Sequence, residues 1–131
     1  MIGLDTNVLV RYIMQDDAKQ SAKANKLIES LTVDEPGFVP VVAIVELVWV
    51  LESSFGLVRA QVAQALHALL RTKQLIVDQA EQVSKALRAF SAGPADFADC
   101  LIERTAASAG CERTMTFDAG ACKGAGMTLI R

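Results

Sequence analysis

The sequence predicts an α/β protein with mainly parallel strands joined by helical crossovers. Two observations lead there. Short apolar runs of strand length alternate with longer stretches of helical periodicity, in the order strand, two helices, strand, two helices, strand, two helices, strand, strand. Two of the short runs, residues 1–4 and 113–117, end in an aspartate, Asp5 and Asp118. In open α/β sheets the carboxyl edge of the strands is where ligands bind. If those two strands are neighbours, both carboxylates face one crevice.

The elements follow in order. Residues 1–4 are apolar and short, and Asp5 breaks the run. Val8, Leu9, Tyr12 and Ile13 then fall at helical spacing, with Asn7 as the expected N-cap. Gln15-Asp16-Asp17 is a turn, and Asp16 or Asp17 can cap the helix expected over 18–31, whose solvated face carries Lys19, Lys23 and Lys26. Phe38-Val39 reads as a brief strand ended by Pro40, which cannot donate to a ladder. Residues 41–54 form a helix that is apolar nearly all round, so burial is expected on every side. Residues 59–71 are a helix, 75–77 a strand and 79–90 an amphipathic helix, before Gly93-Pro94 breaks the chain. A helix over 96–109 is followed by Gly110 where a C′ glycine belongs. After the strand at 113–117, residues 119–126 read as a glycine-rich loop leading to a last strand at 127–130. No repeat, linker or low-complexity segment divides the chain, so a single domain over 1–131 is expected.

Composition narrows the function. Apolar residues make up 52% of the chain, enough for a real core and too many for disorder. The longest apolar stretch, 38–51, is interrupted by Pro40 and Glu46 and falls short of the roughly 18 residues a span requires. No basic leader precedes the first strand, so a cytoplasmic setting is expected. A net charge of −2 argues against bulk electrostatic coating of nucleic acid. Any such binding must rest on a local basic surface, for which Arg11, Arg59, Arg104 and Lys123 are placed, or on a metal. Cys100, Cys111 and Cys122 match no zinc spacing and are expected as free thiols.

The acidic residues carry the chemistry. Glu46 is the one carboxylate in the apolar helix, so it either reaches a crevice holding a cation or lies on an exposed edge. Asp96 and Asp99 are three apart at a helix start, Asp96 as N-cap and Asp99 at N3 where the dipole favours it. Glu103, one turn on, is expected in solvent. Asp5, Glu46, Asp99 and Asp118 come from four separated segments, with no basic residue interleaved. Such a cluster repels itself unless a cation sits within it. An all-oxygen donor set selects Mg²⁺ or Mn²⁺, a metal class that activates water for in-line displacement at phosphorus. Histidine-based schemes are weak, since His67 is the only histidine and lies mid-helix. The glycines of 119–126 do not make a P-loop.

These residues resemble the signatures of the PIN-domain nucleases, and in size the chain is similar to the VapC-type toxins of bacterial type II toxin–antitoxin pairs. Asp5-Thr6-Asn7-Val8-Leu9 resembles the family's first motif, Glu46 within residues 45–51 its second, Asp96-Phe97-Ala98-Asp99-Cys100-Leu101-Ile102 its third, and Thr116-Phe117-Asp118 its fourth. The resemblance covers essentially the whole chain and keeps the motif order. It departs at Cys100, where a small apolar residue is expected, and in the short strand before Pro40. It implies a three-layer α/β/α domain with a central mainly parallel sheet and divalent-metal-dependent RNA cleavage to 5′-phosphate and 3′-hydroxyl ends. It also implies a homodimer and a small VapB-like antitoxin that blocks the active site. In that reading Asp5, Asp99 and Asp118 hold Mg²⁺ or Mn²⁺, and Glu46 completes the site or holds a second ion. Thr6 and Thr116 orient the carboxylates, Asn7 braces the turn and Asp96 supports Asp99. The rivals are a catalytically silent PIN-like binding module and a Mg²⁺-binding phosphoacceptor domain. The second would use Asp78 as acceptor and needs a lysine closing the last strand, which this chain lacks.

Overall fold

The computed structural model describes residues 1–131. Seven helices and five short strands divide between two compact units, Met1–Asp78 and Gln79–Arg131.

The first unit holds β1 (Ile2–Gly3), α1 (Thr6–Met14), α2 (Ala18–Ser30), β2 (Gly37–Val39), α3 (Val41–Ser53), α4 (Arg59–Arg71) and β3 (Leu75–Val77). Its strands pair in the order β1-β2-β3, parallel throughout, with Gly3 opposite Phe38 and Val39 opposite Val77. Parallel pairing puts the carboxyl ends of all three strands on one edge, where Asp5, Pro40 and Asp78 follow in turn. Asp78 ties that edge together. Its amide donates to the Val39 carbonyl at 2.9 Å, and its Oδ2 accepts from the Val41 amide at 3.2 Å. The carboxylate thus meets an orphan donor at the start of α3, where the N-cap residue, Pro40, makes no side-chain cap.

The helices bury one face each. Leu9 and Val10 of α1, Ile28 of α2, Ile44, Leu47 and Leu51 of α3, and Val62 and Leu66 of α4 are all 2% exposed or less. Each such side chain contributes about 1.5–3 kcal/mol on leaving water. The expectation that α3 is buried all round is corrected here. Val42 and Trp49 are 72% and 66% exposed, and Glu46 between them is exposed too. The spacing of four and three puts these residues on one stripe of the helix. The inner stripe alone supplies its burial, and composition could not say which stripe faced outward.

The second unit holds α5 (Ala80–Ala92), α6 (Phe97–Ser108), β4 (Met115–Thr116), α7 (Ala119–Ala125) and β5 (Thr128–Leu129). Its two strands are parallel, with Met115 opposite Thr128. α5 packs on α6, and Phe90 meets Phe97 edge to face at 6.0 Å between ring centres. The segment read as a glycine-rich loop is a helix, α7, and this is a second correction. Asp118 caps its start and Gly126 (φ 79°) ends it in the left-handed region. Gly124 is required by packing rather than by a turn. A Cβ there would stand 2.3 Å from Ala95 Cβ and 2.5 Å from the Ala95 amide nitrogen. Low helix propensity at Gly124 is the cost of that close approach, and the caps offset it.

No helix is long and apolar enough to cross a membrane. All three cysteines are free thiols, Cys100 buried and Cys111 exposed.

Gly124→Ala is expected to destabilise the protein by about 1–3 kcal/mol, because the clash is with backbone that cannot rotate away. Gly37→Ala should cost less, since the added Cβ would meet only the ends of Leu31, Leu4 and Leu75. Urea denaturation of both variants checks this. An unchanged midpoint for Gly124→Ala would show that α7 is free to move off Ala95.

Candidate active site

In the first unit, the acid at the end of β1 is fixed by the helix that follows it. Asp5 is the N-cap of α1, and its Oδ1 accepts from the Thr6 amide at 2.8 Å. This corrects the assignment of Asn7, which sits one residue inside the helix and is exposed. Asp5 wins because it carries extended backbone (φ −80°, ψ 158°), the geometry a cap requires. Thr6 is buried, at 4% exposure, and orients Asp5 through its backbone N–H. Glu46 lies six residues beyond Pro40, in the helix that leaves the same strand edge, and α1 packs on α3. It therefore sits about 9 Å along α3 from that edge. Glu46 is exposed on the outer stripe of α3, with its carboxylate open to solvent.

In the second unit three acids are brought together. Asp96 is the N-cap of α6, and its Oδ1 accepts from the Asp99 amide at 2.7 Å, as the sequence predicts. Asp118 is the N-cap of α7, and its Oδ1 accepts from the Gly120 amide at 2.8 Å. The Asp118 amide in turn donates to Thr116 Oγ1 at 3.0 Å, so the threonine fixes the turn rather than the carboxylate itself. Asp99 is half-buried, and its carboxyl is pushed above its ordinary value of 3.8, first by partial burial and then by the negative charges of Asp96 and Asp118. Glu103 is not the solvated acid expected. It is half-buried and grips the Arg104 guanidinium with both oxygens, one of them at 2.6 Å from Nη2. That contact holds the guanidinium pKa above its already high usual value.

Other residues named from sequence fall elsewhere. His67 is exposed on α4, and Asp78 is committed to the Val41 amide. Arg11 is held by Asp16 at 2.8 Å and by Gln20 Oε1 at 2.7 Å. Arg59 opens α4. Lys85 and Arg88, about one helical turn apart on α5, are candidates that the sequence does not single out. They share a hollow with Arg104 and Lys123. Their spacing of three is a usable signal, but nothing in the sequence says which helix they face.

The donor chemistry suits a hard divalent cation. Every candidate ligand is a carboxylate oxygen, and Asp99 is crowded by like charge that a cation would relieve. Within neither unit do three acid, histidine or cysteine side chains already stand as a ligand set for a metal.

The PIN domain family model matches residues 2–126, across both units, and the chain belongs to the PIN domain family. Its helices and parallel strands agree with the three-layer α/β/α fold of that family. PIN domains are generally nucleases that use divalent metal ions. No match was found among curated proteins or among solved structures.

The raised pKa of Asp99 gives a signed prediction. Its folded value lies above its unfolded one, so the native state holds the proton more tightly. The ionised carboxylate therefore weakens the fold fully above the folded pKa, and the penalty fades as pH falls below it. In EDTA at neutral pH, Asp99→Asn should melt at or above the wild-type temperature. The difference should shrink as the pH is lowered toward 3.8. A variant that melts lower at neutral pH would show that Asp99 serves the fold, not a ligand.

Proposed function

We propose that the chain is a Mg²⁺- or Mn²⁺-dependent endoribonuclease, the toxin of a bacterial type II toxin–antitoxin pair, which hydrolyses RNA to 5′-phosphate and 3′-hydroxyl ends. The observation that carries this reading is the crowding of Asp99 by Asp96 and Asp118 at two helix starts of a unit that contains no histidine. Such a unit has carboxylates to hold a cation and lacks the usual acid–base pair of a metal-free ribonuclease. PIN-family membership over nearly the whole chain supports the same chemistry.

Cation binding is assigned to Asp99 and Asp118 on the second unit and to Asp5 and Glu46 on the first. Asp96 holds the Asp99 amide, Gly120 aims the Asp118 carboxylate, and the Thr6 amide aims Asp5. When bound, a divalent cation supplies the positive charge that steadies an in-line displacement at phosphorus. His67, exposed on α4, takes no part in proton transfer. Attack by water leaves the 2′-hydroxyl unused, which is why a cyclic phosphate is not formed. The proposal extends to a homodimer in the cytoplasm and to a small VapB-like antitoxin that covers the acids, as the motif resemblance implies.

Cleavage should stop in EDTA, return with Mg²⁺ or Mn²⁺, and survive His67→Ala. Asp118→Asn or Glu46→Gln should lower the rate by on the order of a hundredfold or more, the scale of losing one group that stabilises charge in the transition state. Ca²⁺, larger and looser in geometry, should bind without supporting turnover. Mapping the RNA ends decides the mechanism: a 2′,3′-cyclic phosphate, or full activity in EDTA, would rule it out.

A further inference from the structure

We infer that a basic hollow on the second unit, walled by α5, α6 and α7, binds the phosphates of the nucleic-acid strand that runs past the acids of that same unit. The substrate class rests on the nuclease reading. The geometry of the hollow stands independently.

The hollow measures about 540 Å³ and is lined by Lys85, Arg88, Ala89, Arg104, Lys123 and the segment 124–126. Four cations from three helices meet there in a chain whose net charge is −2. Two of them have acidic partners outside the lining. Lys85 pairs with Glu81 at 3.1 Å, an exposed pair of the kind that contributes little and yields readily to a better anion. Arg104 is braced by Glu103, which fixes the guanidinium in place. Arg88 and Lys123 are exposed and enter no ion pair. Arginine offers a phosphate two parallel N–H donors, and lysine a compact charge.

The rest of the lining excludes other ligand classes. Ala89, Gly124, Ala125 and Gly126 present no side chain beyond a methyl group. An apolar small molecule would find no aromatic or large aliphatic wall to bury against. The carbonyl end of α7 opens here and disfavours an anion, so attraction falls to the side chains, with Lys123 in that last turn offsetting the dipole.

Position links the hollow to the acids. Arg104 lies five residues along α6 from Asp99, and Lys123 five residues from Asp118 along α7. At 1.5 Å per residue each cation stands about 7–8 Å down its helix from an acid. Five residues also turn each cation roughly 140° around its helix, so the hollow flanks the acids on another side of α6 and α7, and a strand seated at the acids reaches it by curving over these helices. Repulsion by the acids and attraction by the hollow together fix the strand's path over this unit.

The test uses the full chain and fluorescein-labelled oligouridylates from dinucleotide to dodecamer, with binding followed by anisotropy in Ca²⁺ across a salt series. The double variant Arg88→Glu/Lys123→Glu should bind the dodecamer about tenfold or more weakly. Its log–log salt slope should fall by about 0.7 for each phosphate no longer held. The deficit should grow with oligomer length, and Arg88→Lys/Lys123→Arg should restore binding. Equal melting temperatures confirm that the variants are folded. Unchanged affinity and slope in the folded double variant, with wild-type cleavage intact, overturn the hollow and leave the nuclease reading standing. Loss of dodecamer binding in the variant, with no cleavage by wild type, upholds the hollow and sinks the nuclease reading. If the variant loses polyglutamate but keeps the oligouridylate, the hollow serves an acidic peptide and the inference is wrong.

Discussion

A helix cannot begin without leaving backbone N–H groups unmatched, and at five of its seven helices this chain meets that constraint with aspartate. Asp5 caps α1, Asp17 caps α2, Asp96 caps α6, Asp118 caps α7, and Asp78 reaches the first amide of α3. For Asp5 and Asp118 the cap uses one oxygen, Oδ1. The hydrogen bond that starts the helix thus also immobilises a carboxylate at the end of a strand, with its second oxygen left over. Rigidity is supplied by folding, and the chemistry inherits it.

Helix polarity then sorts charge along the second unit. α6 and α7 both begin at acids, where the positive end of the dipole favours a carboxylate. Lys123 lies in the last turn of α7, where the dipole favours a cation, while Arg104 sits mid-helix on α6 and is held by Glu103 instead. The dipole thus accounts for the acids at both helix starts and for Lys123, and the Glu103 pairing accounts for Arg104. The dipole does not fully offset the crowding. Partial burial and two neighbouring carboxylates still push Asp99 upward, and this remaining electrostatic tension is what a bound cation would relieve.

The corrections share a cause. Asn7 and Asp5 are both competent caps by residue type, and the extended backbone at Asp5 chose between them. Residues 119–126 carry three glycines, which reads as loop, yet Gly124 is there because Ala95 comes too close for any side chain. Glu103 looked solvated because sequence spacing does not reveal that Arg104, the next residue, turns back to pair with it. In α3 the apolar composition was plain, but period alone could not separate the stripe of Ile44, Leu47 and Leu51 from that of Val42 and Trp49. The Glu103–Arg104 pair turns on a choice of side-chain conformers between adjacent residues, and the other cases on packing between segments distant in sequence or on a backbone angle, none of which a residue string encodes locally.

By itself the sequence determined the alternation of strands and helices, the parallel sense of pairing, the capping role of Asp96, and the aspartates that end the strands at Asp5 and Asp118. These follow from short-range physics: hydrophobic period, turn chemistry, and the need of each helix start for an acceptor. Tertiary structure alone decided that Asp99 is crowded by Asp118 as well as by Asp96, and that Lys85 and Arg88 share a hollow with Lys123. Both depend on how α5, α6 and α7 pack. Electrostatic coupling acts through space, and only packing brings residues 19 or more positions apart within its range.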